Sequence, residues 1–493
     1  MAKPDSSKKE VCVPCERNNM KKQKITQIDM TKGNMLQSII SFSTPLLLSS
    51  VLQTLYNTVD SAIIGNFGST DALAGVSASE SPMLVLLSVM MGLSNGVSVL
   101  LSQLFGHGNK ERIKDLIATA SGFFTVSVLP LTACALLLIK PMLSFISIQG
   151  AAADSAQIYL LIVFGGLIGN FGYNLNSGIL RGLGDSVSPL IFLAISCVVN
   201  IVLDLFFVIG LNWGVTGVAL ATMIAMVVSW LYSVWHIKHY YPEVDYHIFS
   251  LRINGPLLKK ILSLSFPLML NHGIFSLGFL LYYRFVNGFG AAFMAGYGIA
   301  GKLMNLIWLP VSSLGTAAVN FAGQNSGAGD LSRINKGVKL FLKIAIIINV
   351  LISAASLLWG RQIFGLFSSD SAVIEAAYNY VLMLAPFYWI YAIIHILTSF
   401  MNGVGDVKVS TAITLIMFWV IRLPVGWYMS THFPSELLHA SYPISWVVSC
   451  ILTVGYFMTG RWKRGILTKD AQNGQNSGGG ETRQKNNDKV QSI

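Results

Sequence analysis

The chain has 493 residues, and 53% of them are hydrophobic. Charged residues make up 11%, against the roughly 25% of an ordinary soluble domain. That is too little polar surface to cover a soluble protein of this length. The composition excludes a soluble enzyme, a nucleic-acid binder and a disordered scaffold, and the net charge of +11 calls for no nucleic-acid partner in a chain solvated mostly by lipid.

Residues 1–35 form a polar, basic N-tail. They do not read as a cleavable signal peptide, because the first apolar stretch is followed by many more. Cys12 and Cys15 make a lone CxxC. A structural metal site needs four ligands, so no metal or redox role is assigned to the pair. Twelve apolar segments then follow, at 36–65, 72–104, 115–139, 157–181, 187–210, 214–238, 261–287, 293–323, 336–360, 378–401, 409–431 and 438–460. Each reaches the roughly 20 residues that cross a bilayer core as a helix. Backbone in lipid must pair within its own segment or close a barrel, and these segments are too long for barrel strands. The expected fold is an all-α membrane protein with twelve transmembrane helices. Residues 239–260 are a polar linker, and 461–493 read as a disordered, basic C-tail.

Twelve spans put both termini on one side. That side carries 27 Lys and Arg, whereas Lys140 and Arg361 stand alone on the other. The positive-inside rule then places both termini in the cytoplasm, with the chain in the plasma (cytoplasmic) membrane. Part of the positive charge also serves attraction to anionic lipid.

The chain reads as a duplication. Gln103, Gly106, Gly108 and Arg112 recur 221 residues later as Gln324, Gly327, Gly329 and Arg333. Gly182, Gly184 and Asp185 recur at the same offset as Gly403, Gly405 and Asp406, and Tyr159 as Tyr380. Pro45 recurs as Pro267, one residue further on. Two six-helix repeats, an N-lobe at 36–238 and a C-lobe at 261–460, therefore enter the membrane from the same side and are parallel. A cavity between two such lobes is the usual design for alternating access; a duplicated scaffold or a channel are the other readings.

The first repeat carries Pro45, then Gln53-x-x-Tyr56-Asn57-x-Val59-Asp60 and Gly65, then Gly92, Gly96 and Gln103-x-x-Gly106. Leu180-Arg181-x-x-Gly184-Asp185 and Asn200-x-x-x-Asp204 follow. Recurring in part in the second half, this set resembles the multidrug and toxic compound extrusion (MATE) family over residues 30–462, and is most similar to its bacterial drug-exporting branch. The resemblance implies a cation-coupled antiporter that exports amphipathic, often cationic compounds in exchange for H⁺ or Na⁺. No cofactor is expected, and the expected working unit is a monomer.

Charges within a bilayer are costly and need reasons. Asp60, Asp204 and Thr222 lie about 8, 9 and 12 Å from the outer end of their helices at 1.5 Å per residue. Asn200 shares a helix face with Asp204, and Gln53 lies two turns from Asp60. Spacing alone does not bring the three helices together. The family's cation site supplies that link and falls by resemblance on Asp60, Asn200, Asp204 and Thr222, with Gln53 close by. Two neighbouring carboxylates suit retention and release of a proton, and the same oxygens suit Na⁺. The residues leave the ion open. The plainer reading is an Asp–Asn–Thr network that ties helices together.

At an offset of 221 the corresponding second-lobe residues are Leu281, Ile421, Val425 and Pro443. That lobe instead holds Arg284, Lys302 and Arg422, with His272 and His395; these read as snorkelling or pairing with helix-end carbonyls, or as substrate contacts. Candidate cavity or substrate residues are Tyr56, Asn57, Glu80, Asn170, Asn174 and Asn176. Glu80 faces either the cavity or the headgroups. Asn170, Asn174 and Asn176 form either a polar cavity wall or a seam between helices, and the resemblance also points to Asn176 as part of the cation network. Gly92/Gly96 and Gly165/Gly169 have the spacing of close helix packing, and Pro310, Pro386 and Pro424 loosen the second lobe. No P-loop or HExxH occurs, so neither ATP hydrolysis nor an enzyme activity is expected. A flippase for a lipid-linked oligosaccharide is the alternative transporter, and it would line its cavity with cationic residues.

Overall fold

The computed structural model describes residues 27–67, 69–146, 148 and 150–465, with backbone only at His272, Phe275, Ser276, Leu280, Arg464 and Gly465. Cys12, Cys15, most of the N-tail and residues 466–493 lie outside the described residues, as does the side chain of His272.

The twelve spans are α1 (Met35–Phe67), α2 (Thr70–His107), α3 (Lys110–Ile146), α4 (Ala151–Gly165 and Leu167–Gly182), α5 (Val187–Gly210) and α6 (Gly214–Tyr240) in lobe one. Lobe two has α7 (Gly255–Asn287), α8 (Ala291–Gly327), α9 (Leu331–Gly365), α10 (Ser371–Gly403), α11 (Val407–His432) and α12 (Ser435–Met458). The 38 residues of α2 span about 57 Å at 1.5 Å per residue, well beyond a 30 Å hydrocarbon core, so such helices tilt or project. Ends are set by local chemistry. Ser69 accepts from the Ala72 amide at 3.1 Å to start α2, and Asp185 accepts from the amides of Val187 and Ser188, both at 3.0 Å, to start α5.

Four spans are not regular. α4 bends by 54° at Gly166, where an unbroken helix was expected. α10 passes through a 3₁₀ turn, Ala385–Phe387, at Pro386. α5 and α11 contain π-helical stretches, Leu205–Gly210 and Ile416–Arg422, the second just before Pro424. Pro310 sits inside a continuous α8. The linker is tighter than its polarity suggested: Tyr241, Val244 and Tyr246 are buried in the core of lobe one.

The lobes meet at the end that carries both termini. There α2 packs on α7 and α8. Gly92 and Gly96 lie so close to Met269 and Ser265 of α7 that a Cβ at either would overlap them. Gly106 lies against the Gln324 carbonyl, and Gly327 reciprocally against that of Gln103. Ser98 Oγ donates to Asn320 Oδ1 at 3.2 Å, and Gln103 Nε2 donates to the Gly403 carbonyl at 2.9 Å. The inner half of α1 buries Ile39, Phe42 and Leu46 in the core of lobe two.

Residues 27–34 strap this junction. Ile28 N–H donates to the Gly184 carbonyl at 2.9 Å, and Gln27 Nε2 to that of Leu183 at 2.8 Å, both in lobe one. Two residues on, Met30 N–H donates to Gln324 Oε1 at 2.8 Å. The Met30 carbonyl accepts from Asn325 and from Arg333 Nε at 3.2 and 2.9 Å, all in lobe two. Met30 itself is buried in the core of lobe two.

The opposite end is open. On the α2 face that holds Ser98, Ser77, Glu80, Leu84 and Met91 are exposed, whereas Ser94 and Ser98 are buried. On the α8 face that holds Asn320, Ala295, Lys302 and Leu306 are exposed, whereas Ser313 and Asn320 are buried. Faces that touch at one end thus diverge into a cleft at the other.

Candidate functional site

In lobe one, α1, α5 and α6 bring Asp60, Asn200, Asp204 and Thr222 together. All four are buried, Asn200 and Asp204 completely. Thr222 Oγ1 donates to Asp60 Oδ2 at 3.4 Å, and the Asp60 carboxyl lies against the Asp204 carboxyl and the Asn200 amide. Asp60 Oδ1, both carboxyl oxygens of Asp204 and both amide atoms of Asn200 are buried without a hydrogen-bond partner among the described residues. Buried carboxylates with unused lone pairs are costly unless protonated or ligating a cation. No Lys or Arg forms an ion pair with either acid among the described residues. The group gathers several hard oxygens in one buried place, a donor set suited to one proton or one Na⁺.

Two tyrosines complete the pocket. Tyr56 is buried, with its hydroxyl near Asp60 and Thr222, so it belongs beside the carboxylates and not on a cavity wall. Tyr159 of α4 approaches the same group. The only mark of Tyr159 in the sequence is its recurrence as Tyr380, which does not distinguish a site residue from a packing one.

Gln53 does not join the carboxylates. It donates to Asn57 Oδ1 at 3.4 Å, and both lie on the face of α1 that buries Ile39 and Phe42 against lobe two further in. Asn57 is exposed toward the cleft. Asn176 is also corrected: it is fully buried, donating to Ser233 Oγ and accepting from Tyr246 OH, both at 2.7 Å. It fastens α4 to α6 and the linker, far from the cation group. Asn174 donates to Asn170 Oδ1 at 2.8 Å, and its carbonyl accepts from Ser94 Oγ at 2.6 Å. These half-buried amides form a seam with α2. Of the two glycine pairs, Gly92/Gly96 pack closely; Gly169 packs on Val227, whereas Gly165 meets nothing within 4 Å.

The equivalent place in lobe two differs from a constant offset of 221. Leu281 is 45% exposed, whereas Tyr282 is fully buried, so Tyr282 takes the place of Asp60, at the 222-residue offset that Pro45 and Pro267 already show. The π-helical stretch in α11 adds a residue before Arg422. Arg422 and Gly426, both buried, thereby take the places of Asn200 and Asp204. The corresponding π stretch in lobe one follows Asp204 and restores the offset, so Thr222 still matches Pro443. The Arg422 guanidinium lies 4.3 Å from the ring centroid of Tyr442 and 4.9 Å from that of Phe418. Its Nε donates to Ser445 Oγ at 3.1 Å. Arg284 is exposed in a groove of about 500 Å³ between α7 and α11, and Lys302 is exposed on the cleft face of α8. His395 stacks on Tyr391. Glu375, outside the segment expected for α10, pairs with Arg361 at 2.6 Å.

Two parallel six-helix bundles with a polar pocket in one of them and a cleft between define a twelve-helix transporter architecture. The MatE family model matches residues 45–206 and 267–428, one match per lobe, and the chain belongs to that family of membrane transporters. It is 29% identical over 445 residues to the probable multidrug resistance protein YpnP of Bacillus subtilis, covering 88% of this chain and 97% of that one. With the probable multidrug resistance protein NorM of Thermotoga maritima it shares 25% identity, over 88% and 95% of the two chains. A MATE crystallised in complex with MaL6 superposes with a TM-score of 0.82 at 21% identity, covering 88% of this chain and 98% of that one. A multidrug resistance MATE transporter in an outward-facing conformation gives 0.81 at 22% identity, covering 89% and 99%.

Proposed function

We propose that this protein exports amphipathic, often cationic organic compounds across the cytoplasmic membrane, driven by entry of H⁺ or Na⁺. The observation that carries this reading is the pair of buried carboxylates, Asp60 and Asp204, ion-paired to no Lys or Arg among the described residues and held with Asn200 and Thr222 in one lobe behind an open cleft. The relatives' names, multidrug resistance proteins, support the substrate class. With the membrane negative inside, each entering charge supplies about 2.3 kcal/mol per 100 mV. Both termini lie in the cytoplasm on this reading, so the strapped end is the cytoplasmic gate and the cleft opens outward. Transport requires the reverse arrangement too, in which the strap, the Ser98–Asn320 contact and the glycine contacts release. One chain supplies both lobes and the cleft, so the proposed working unit is a monomer.

The test is transport of a fluorescent cation in proteoliposomes under separately imposed pH and Na⁺ gradients. Export that follows neither gradient overturns coupling. Orientation is checked with an impermeant thiol reagent: cysteine at Ser69 reacts from outside, and cysteine at Asn109 or Ser186 does not. The reverse pattern overturns the assignment. A flippase with a cationic cavity is less well supported, since only Lys302 of the three lobe-two cations lies on the cleft face, while Arg422 is buried beneath aromatic rings.

A further inference from the structure

Glu80 on α2 and Lys302 on α8 occupy equivalent places on two helices that line the cleft, 222 residues apart in the sequence. Ser98 and Asn320 bond α2 to α8 at the closed end. Glu80 lies 18 residues outward from Ser98, and Lys302 lies 18 residues outward from Asn320. Eighteen residues are five full turns at 3.6 residues per turn, so each charge returns to the face that holds the contact, about 27 Å further out along its helix. Both side chains are exposed. Both are also deep, about 15 Å from Thr70 for Glu80 and about 17 Å from Ala291 for Lys302 at 1.5 Å per residue. An exposed acid and an exposed base at that depth are tolerated only where water reaches them, which the cleft between the lobes provides. Neither forms an ion pair among the described residues. They sit at matching heights on the two helices that must swing together if the outer end closes.

We propose that Glu80 and Lys302 are the two halves of an outer gate, which form an ion pair across the cleft when its outer end closes. The inference rests on the alternating-access reading above. In the outward-open form the charges are separate. In the closed form they meet as water leaves, where their attraction is least screened and where either charge alone would be buried without a partner. This explains why lobe two tolerates a lysine that forms no ion pair among the described residues in the open form. A subsite for cationic substrates would call for Glu80 but not for a lysine opposite it.

The experiment has two arms. In the first, Glu80→Lys and Lys302→Glu are each expected to lower gradient-driven export at least tenfold at matched membrane levels, and the double reversal to recover it to within about threefold of the parent. A double reversal no better than the singles overturns the gate, and is the result expected if Glu80 only attracts cationic substrate. The second arm does not depend on tolerance of reversed charges. Cysteine pairs replace Glu80 with Lys302, or Ser98 with Asn320, in a chain whose native cysteines are serine. Disulfide formation is read by mass spectrometry with and without the driving gradient and substrate. Opposite responses are expected, with the outer pair cross-linking as the inner pair ceases to. An inner pair that responds beside an outer pair that never cross-links overturns the gate and leaves alternating access standing. Two pairs that both fail to respond overturn both.

Discussion

Asp60, Asn200 and Asp204 in lobe one and Tyr282, Arg422 and Gly426 in lobe two occupy corresponding places on corresponding helices, and the chemistry they bury is opposite. In lobe one, two carboxyls face each other with several oxygens unused. In lobe two, a guanidinium lies on aromatic faces, and Tyr282 bonds to Ser441 at 2.9 Å while Tyr297 bonds to Tyr442 at 3.0 Å. A pocket of two buried acids favours a cation beside them. A pocket already holding a fixed cation repels one. The duplicated fold thus retains its helices while one copy buries two acids and the other a guanidinium on aromatic rings.

The sharpest break of this comparison lies in lobe one. Asp60→Asn and Asp204→Asn remove the charge but keep size and hydrogen-bonding capacity. Each is expected to lower gradient-driven export more than tenfold in proteoliposomes, while insertion and substrate binding in detergent persist. The double variant is expected to match either single one, because groups acting as a unit are not additive. Parental export by either single variant overturns the one-lobe cation site.

The same comparison makes Arg422 structural. Arg422→Met, similar in length and apolar, is expected to leave coupling to the gradient intact and to shift the thermal midpoint little, since an unpaired buried charge costs solvation. Arg422→Ala is expected to lower the midpoint more, through lost stacking on Tyr442 and Phe418 and an unfilled gap. Loss of coupling in Arg422→Met would show that the fixed charge takes part in the cycle.

A smaller effect is expected at the strap. Gln324→Ala leaves the Met30 amide without its acceptor, a cost of about 1–3 kcal/mol for a buried donor. On the alternating-access reading, the cost falls on the outward-open form. Cysteine labelling at the closed junction between the lobes is therefore expected to rise by about tenfold, which is 1.4 kcal/mol. Unchanged labelling would mean that the strap does not favour one form.

Much of this was legible before any coordinates. Hydropathy located all twelve spans, and the repeat located both lobes, because a bilayer enforces long apolar helices. The acids were conspicuous for the same reason. Register was harder. A π-helical insertion leaves no mark in composition, so a constant offset of 221 pairs Asn200 with Ile421 and not with Arg422, although Pro45 and Pro267 already carry the 222-residue offset. Asn176 shows a second limit: polarity in a span marks a need for partners, and only packing shows that Ser233 and Tyr246 meet it. Residues 27–34 are polar and short, and nothing in their composition shows that they bridge two lobes.

Gln53 refines the comparison at its edge, by separating the coupling pocket from the cleft wall. It sits 14 residues from Ile39 and four from Asn57, so all three share one face of α1. That face is buried against lobe two further in and opens to the cleft at Asn57. Asp60 is three residues beyond Asn57, turned into the lobe and buried. Gln53→Ala therefore removes an amide from the substrate side and leaves the carboxylates as they are. The expected result is a two- to fivefold change in apparent substrate affinity, the range of about 0.4–1 kcal/mol that one partly exposed polar contact carries. The number of ions entering per molecule exported is expected to stay the same. Measuring that ratio from the gradient needed to balance a fixed substrate gradient separates the alternatives: a changed ratio with unchanged affinity would put Gln53 back among the cation ligands.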